Sequence, residues 1–142
     1  MIKKLIPIVT IFAATFISIN ACAQGTDTSK YILQNDVDVA KEELGTHNGG
    51  GTTIGFNFFG EAKNLKTVFK KRTLKSGSSI GYHLQKEDEI YYVINGNGTM
   101  KMNGKTFAVK PGDAILTRPG SSHGIAPNVG NDLTILIVYE KK

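Results

Sequence analysis

Residues 77–96 read GSSIGYHLQKEDEIYYVING, and the two alternations inside this stretch decide the fold. Along 79–85 every second side chain shares a face, so Ile80, Tyr82 and Leu84 point one way while Gly81, His83 and Gln85 point the other. Along 89–95 Glu89, Tyr91 and Val93 share one face, and Ile90, Tyr92 and Ile94 share the opposite one. Both runs have the period of two that belongs to strands, and the charged residues between them mark a turn. One strand face therefore carries two ligand-type side chains, and a carboxylate opens the next strand.

Outward from this stretch the same rhythm continues. Short apolar or alternating runs predict strands near 54–59, 65–74, 79–85, 89–95, 98–102, 105–109, 114–117, 122–126 and 132–139, with turn signals every eight to twelve residues. Asn103 and Gly104 sit between Met102 and Lys105 as a two-residue hairpin turn of the kind that needs positive φ at both positions. The chain of 142 residues is 40% apolar and 20% charged, enough for one globular domain and too short for two. Its sixteen glycines follow no three-residue period, which excludes collagen. A single cysteine excludes an internal disulfide, and with three histidines it excludes a multi-cysteine zinc module. Any metal here is held by nitrogen and oxygen.

His123 follows the Pro119–Gly120 turn and begins a late strand, so the fold can close it onto the same point as His83 and Glu89. Gly77, His83, Gln85, Glu89 and Gly96 together resemble the first cupin motif, with Gln85 standing where that motif usually has a second histidine. Gly112, Arg118, Gly120 and His123 are similar to the second cupin motif; Arg118 takes the place of its usual proline, and the closing asparagine is displaced by one, to Asn128. Fifteen residues separate Gly96 from Gly112, and the resemblance covers residues 65–139. Similarity to small single-domain bacterial cupins implies an all-β fold, a double-stranded β-helix or jelly-roll barrel with a metal inside one end. It implies no particular substrate.

The residues support a metal without that resemblance. His83, Glu89 and His123 form a two-histidine, one-carboxylate set that suits one divalent ion, Fe, Mn, Zn or Ni, and leaves coordination positions open. Gln85 either adds an amide oxygen or contacts substrate or metal-bound water. The bland alternative makes His83 and His123 core histidines satisfied by hydrogen bonds. Three further residues are candidates for substrate binding. His47 precedes a run of glycines in which the backbone must turn sharply or approach something closely. Tyr91, like Tyr82 and Tyr92, offers a pocket wall or plain core. Arg118 either grips a carboxylate or phosphate, or pairs on the rim with Asp113 or Glu140. The leading reading is a mononuclear metal-dependent enzyme of isomerase, lyase or dioxygenase type acting on a small polar molecule. The alternative is a non-catalytic module that binds a sugar or an acid.

The remaining expectations concern the chain's surroundings. Lys3 and Lys4 followed by the uncharged run from Leu5 to Ile19 read as an export signal, shorter than the roughly 20 residues of a membrane span. Cleavage follows Ala23, or it precedes Cys22, since residues 19–22 resemble a bacterial lipobox; the second reading makes a lipoprotein whose only membrane contact is an anchor at Cys22. The protein is then periplasmic or tied to the cell envelope, with the signal at 1–23, a glycine-rich arm at 24–55 and the cupin domain at 56–142. Loss of Lys3 and Lys4 takes the formal charge from +5 to +3. Lys70, Lys71 and Arg72 lie in an alternating stretch and read as a solvated strand face, not as a nucleic-acid site. Finally, residues 133–139 are apolar on both faces. Ile135, Ile137 and Tyr139 fall on one side and Leu136 and Val138 on the other, so the second set needs a cover, either the arm or a second chain in a homodimer.

Overall fold

A computed structural model describes residues 30–142, whose compact unit runs from Tyr31 to Lys142. The expected export signal, Cys22 and the first residues of the expected arm lie outside the described residues.

Among the described residues one short helix, α1 (Asp36–Val39), precedes ten strands. They are β1 (Ala40–Leu44), β2 (Thr52–Phe58), β3 (Thr67–Leu74), β4 (Ile80–Leu84), β5 (Glu89–Asn95), β6 (Gly98–Met102), β7 (Lys105–Val109), β8 (Ala114–Thr117), β9 (Ser122–Pro127) and β10 (Leu133–Glu140). Asn35 caps the helix through its side chain, with Asp38 returning the bond. Every strand is antiparallel to its neighbours, in a six-stranded sheet of order β1-β2-β3-β10-β5-β8 and a four-stranded sheet of order β4-β9-β6-β7. The β6–β7 hairpin turns on Asn103 and Gly104 with φ of 47° and 79°, as their sequence predicts.

The core lies between the sheets. Leu74, Tyr91, Val93, Leu133, Ile135 and Ile137 come from the larger sheet, and Ile80, Met100, Val109 and Ile125 from the smaller one. Strand β10 behaves as its alternation requires: Ile135 and Ile137 are buried, while Leu136 and Val138 are half-buried on the outside. Residues 40–58, within and just past the segment expected as an arm, supply β1 and β2, which extend the sheet at the β3 edge instead of covering its outer face. The outer face consequently presents a continuous apolar strip. Ile90, Tyr92, Ile94, Leu116 and Phe69 are exposed, and the register places Val138 beside both Phe69 and Ile90, with Leu116 beyond Ile90.

Two expectations about faces are corrected. Arg72 is not on a solvated face: alternation along β3 puts it on the same face as the buried Val68 and Leu74, and Arg72 is only 7% exposed. Its guanidinium is satisfied there by donating to Thr53 Oγ1 at 2.7 Å and Glu43 Oε2 at 2.9 Å, partners from β2 and β1. The second correction is in β4. Simple alternation sets Ile80 opposite His83, yet Ile80 is in the core and His83 also faces inward, because the pairing with β9 slips between them: Ile80 opposes Ile125 and His83 opposes His123. The extra residue is a β-bulge, which re-aims the side chains after it.

Ile135 is fully buried at the centre of the larger sheet. Ile135→Ala should cost about 2–5 kcal/mol by leaving a cavity, read as a fall in the midpoint of thermal or urea unfolding; an unchanged midpoint would remove this residue from the core.

Candidate metal centre

The bulge in β4 and the antiparallel pairing of β4 with β9 place His83 directly across from His123. Glu89 enters from the facing sheet, at the inward-pointing start of β5, between Tyr139 of β10 and Thr117 of β8. One ligand-type atom from each of His83, Glu89 and His123 lies within 4.8 Å of the others, the one such group among the described residues. His123 is fully buried and Glu89 is 8% exposed.

The hydrogen bonds favour a cation at this point. His83 Nδ1 lies 2.8 Å from the Gly81 carbonyl oxygen. A carbonyl only accepts, so Nδ1 carries the proton and Nε2 keeps its lone pair. His123 Nε2 is 3.1 Å from the Tyr91 hydroxyl and 3.4 Å from Glu89 Oε2. Glu89 Oε2 and His123 Nδ1 are buried with no hydrogen-bond partner. An unpartnered carboxylate oxygen in the interior carries a desolvation penalty of several kcal/mol that a bound divalent ion would offset. Core histidines satisfied by hydrogen bonds would not leave these atoms bare. The donor set therefore fits a divalent ion of the Mn, Fe, Ni or Zn group.

Around the three residues the rings form a chain. His83 is stacked on His47 at 3.5 Å with planes 2° apart, and meets His123 at 4.4 Å with a tilt of 57°. Tyr91 meets His123 edge-on at 5.3 Å. Burial first, and then the charge of Glu89, raise the Tyr91 phenol well above its ordinary value, so it stays protonated. Burial first, and next the neighbouring His83, lower the pKa of His47 and favour its neutral ring, against a smaller opposing pull from Glu89.

A cavity of about 360 Å³ opens at this end, lined among others by His47, His83, Gln85, Glu89, Lys86 and Tyr139. Gln85, 6% exposed, thus shares the cavity with the donor set. Arg118 does not line it: its Nε donates to Asp88 Oδ1 at 2.8 Å on the exposed rim. The rim pairing expected with Asp113 or Glu140 is corrected, since Asp113 is held by Lys110. Tyr82 is exposed and its hydroxyl accepts from the Gly104 N–H, while Tyr92 is exposed on the outer face; neither is a pocket wall. Tyr139 also lines the cavity, a residue that alternation places on the same face of β10 as Ile135 and Ile137. A second cavity of the same volume lies against β1–β3, lined by Lys41, Glu43, Lys70 and Arg72, but holds no comparable donor group.

Comparisons with known proteins agree with this fold. The family model described as "Cupin domain" matches residues 71–139. An oxalate-binding protein of Thermotoga maritima is 40% identical over 76 residues, covering 53% of this chain and 63% of that protein. A crystal structure of a predicted oxalate decarboxylase from the same organism superimposes with a TM-score of 0.71 at 30% identity, covering 78% of this chain and all of that one. A polyketide cyclase from Streptomyces resistomycificus has a TM-score of 0.70 at 22% identity, over 79% of this chain and 80% of its own, and shows the fold alone. The chain belongs to the cupin superfamily. It spans under two thirds of the length of the oxalate-binding relative that it matches.

His83→Ala and His123→Ala should each leave the purified protein with substoichiometric metal by elemental analysis, whereas Gln85→His should retain or tighten it, imidazole being the stronger donor. Full metal content in both alanine variants would refute the assignment.

Proposed function

We propose that this chain is a metal-dependent cupin that takes a small carboxylic acid of the oxalate class at the His83–Glu89–His123 centre. The observation that carries the reading is the buried, unpartnered Glu89 Oε2 between two imidazoles at the foot of an open cavity. A divalent ion balanced by one carboxylate leaves net positive charge in a low-dielectric site, which favours an anionic ligand. Lys86 beside the cavity adds to that field. Similarity to an oxalate-binding protein and to a predicted oxalate decarboxylase structure, both of Thermotoga maritima, supports the same ligand class.

The roles follow from position. His83, presented through Nε2, His123 and Glu89 hold the ion, and Gln85 offers an amide to the ion or to the acid. Tyr91, kept protonated, orders His123 and Glu89 behind them. The ion supplies Lewis-acid polarisation of a bound carboxylate. Turnover of that acid is the second reading. It is favoured by a set of only three firm protein donors, which leaves positions for a ligand and a co-reactant.

Calorimetric titration with oxalate separates these readings from others. Binding should be saturable with the Mn(II)-loaded chain and at least about tenfold weaker after chelation or in His83→Ala. Equal binding with and without metal would overturn the proposal, and loss of oxalate in the same cell would distinguish enzyme from binder.

We also propose that the outer strip of the larger sheet is the contact of a two-fold homodimer, since its apolar residues are contiguous in register and no described segment covers them. Light scattering at micromolar concentration should give a dimer for the wild type and a folded monomer for Leu136→Asp. A monodisperse wild-type monomer would contradict it.

A further inference from the structure

The loop between β1 and β2 reads GTHNGGG over residues 45–51 and crosses the backbone of β4 at main-chain distance. A Cβ on Gly45 would stand 2.3 Å from the Ser79 carbonyl oxygen, one on Gly49 2.0 Å from the same oxygen, and one on Gly81 1.9 Å from the His47 carbonyl oxygen. Three positions at one crossing therefore admit only glycine. The contact is pinned as well as close: the Gly81 N–H donates to the Thr46 carbonyl at 2.9 Å and the Ser79 hydroxyl to the Gly49 carbonyl at 2.7 Å. His47 and Asn48 take left-handed backbone, φ 53° and 60°, which side-chain-bearing residues adopt only when the surroundings hold them there.

What this crossing delivers is the His47 ring, laid on His83 at 3.5 Å with planes 2° apart. The arrangement keeps His47 out of the ion's inner sphere. A histidine binds an ion through the in-plane lone pair of its nitrogen, so an ion held by Nε2 of His83 would not sit against the parallel face of His47. The donor set correspondingly omits His47. His83 thus has one face covered by His47, has His123 tilted beside it, and has Nδ1 tied to Gly81, the residue against which the loop is packed.

Resting on the reading of His83 as a ligand, we propose that His47 is a positioning residue of the metal centre, its ring fixing the plane of His83 by covering one of its faces, so that metal affinity depends on the β1–β2 loop. The test is calorimetric titration of the metal-free chain with Mn(II), comparing wild type, His47→Ala, His47→Phe and His47→Gln. Removing an outer partner of a ligand typically weakens binding by 10–100-fold, so His47→Ala should lose about tenfold or more in affinity. His47→Phe, which keeps a stacking ring without a nitrogen, should recover most of it; His47→Gln should not. The metal-free variants should unfold at the wild-type midpoint, since the ring is exposed. Equal affinity in wild type and His47→Ala overturns this proposal alone. Rescue by Gln but not Phe also overturns it and makes the nitrogen, not the ring face, the acting group. Absence of Mn(II) binding by the wild type overturns the metal reading and this inference with it.

Discussion

A carboxylate buried between two sheets, with one oxygen left without a hydrogen bond, is the constraint around which this fold is arranged. Glu89 stands at the start of β5, where alternation turns it inward with Tyr91 and Val93. Buried charge of this kind is tolerated only beside a compensating group. His83 and His123 come to it from the opposite sheet, one because β4 bulges and the other because β9 pairs with it. The guanidinium of Arg72, also inside, is already matched by Glu43 and Thr53. Compensation for Glu89 therefore falls to the two imidazoles and to what they can hold in common.

Arg72 explains why the strands before the motif-bearing region belong to the sheet. An arginine on the inner face of β3 needs partners within reach, and β1 and β2 provide them. The same two strands carry between them the loop that lays His47 on His83. A pairing that satisfies one buried charge thus delivers a ring to the His83–Glu89–His123 group, and the sheet extension is as much part of the candidate site as the strands that bear those three residues.

Much of this was legible in the sequence. The strands from β3 to β10 follow from alternation and turn chemistry, and the two motif patterns fixed the order in which His83, Glu89 and His123 converge. The run Gly49–Gly51 announced a close backbone approach, which the structure places at Ser78 and Ser79. Three things were not legible. A bulge changes the phase of a strand without leaving a mark in its alternation, so the sequence places Ile80 and His83 on opposite faces. A basic triplet in an alternating strand does not show which face the sheets bury, so the reading of a solvated face fails at Arg72. The stacking of His47 depends on a contact between segments some thirty residues apart, which no local pattern encodes.

The claim that a single ion lies among His83, Glu89 and His123 is tested most directly by anomalous diffraction from crystals of the Mn(II)-loaded chain. The account predicts one strong anomalous peak per chain, within ligand distance of Nε2 of His83, a ring nitrogen of His123 and Oε2 of Glu89. A peak confined to another part of the molecule, or ordered water alone at that point in fully loaded crystals, would contradict it.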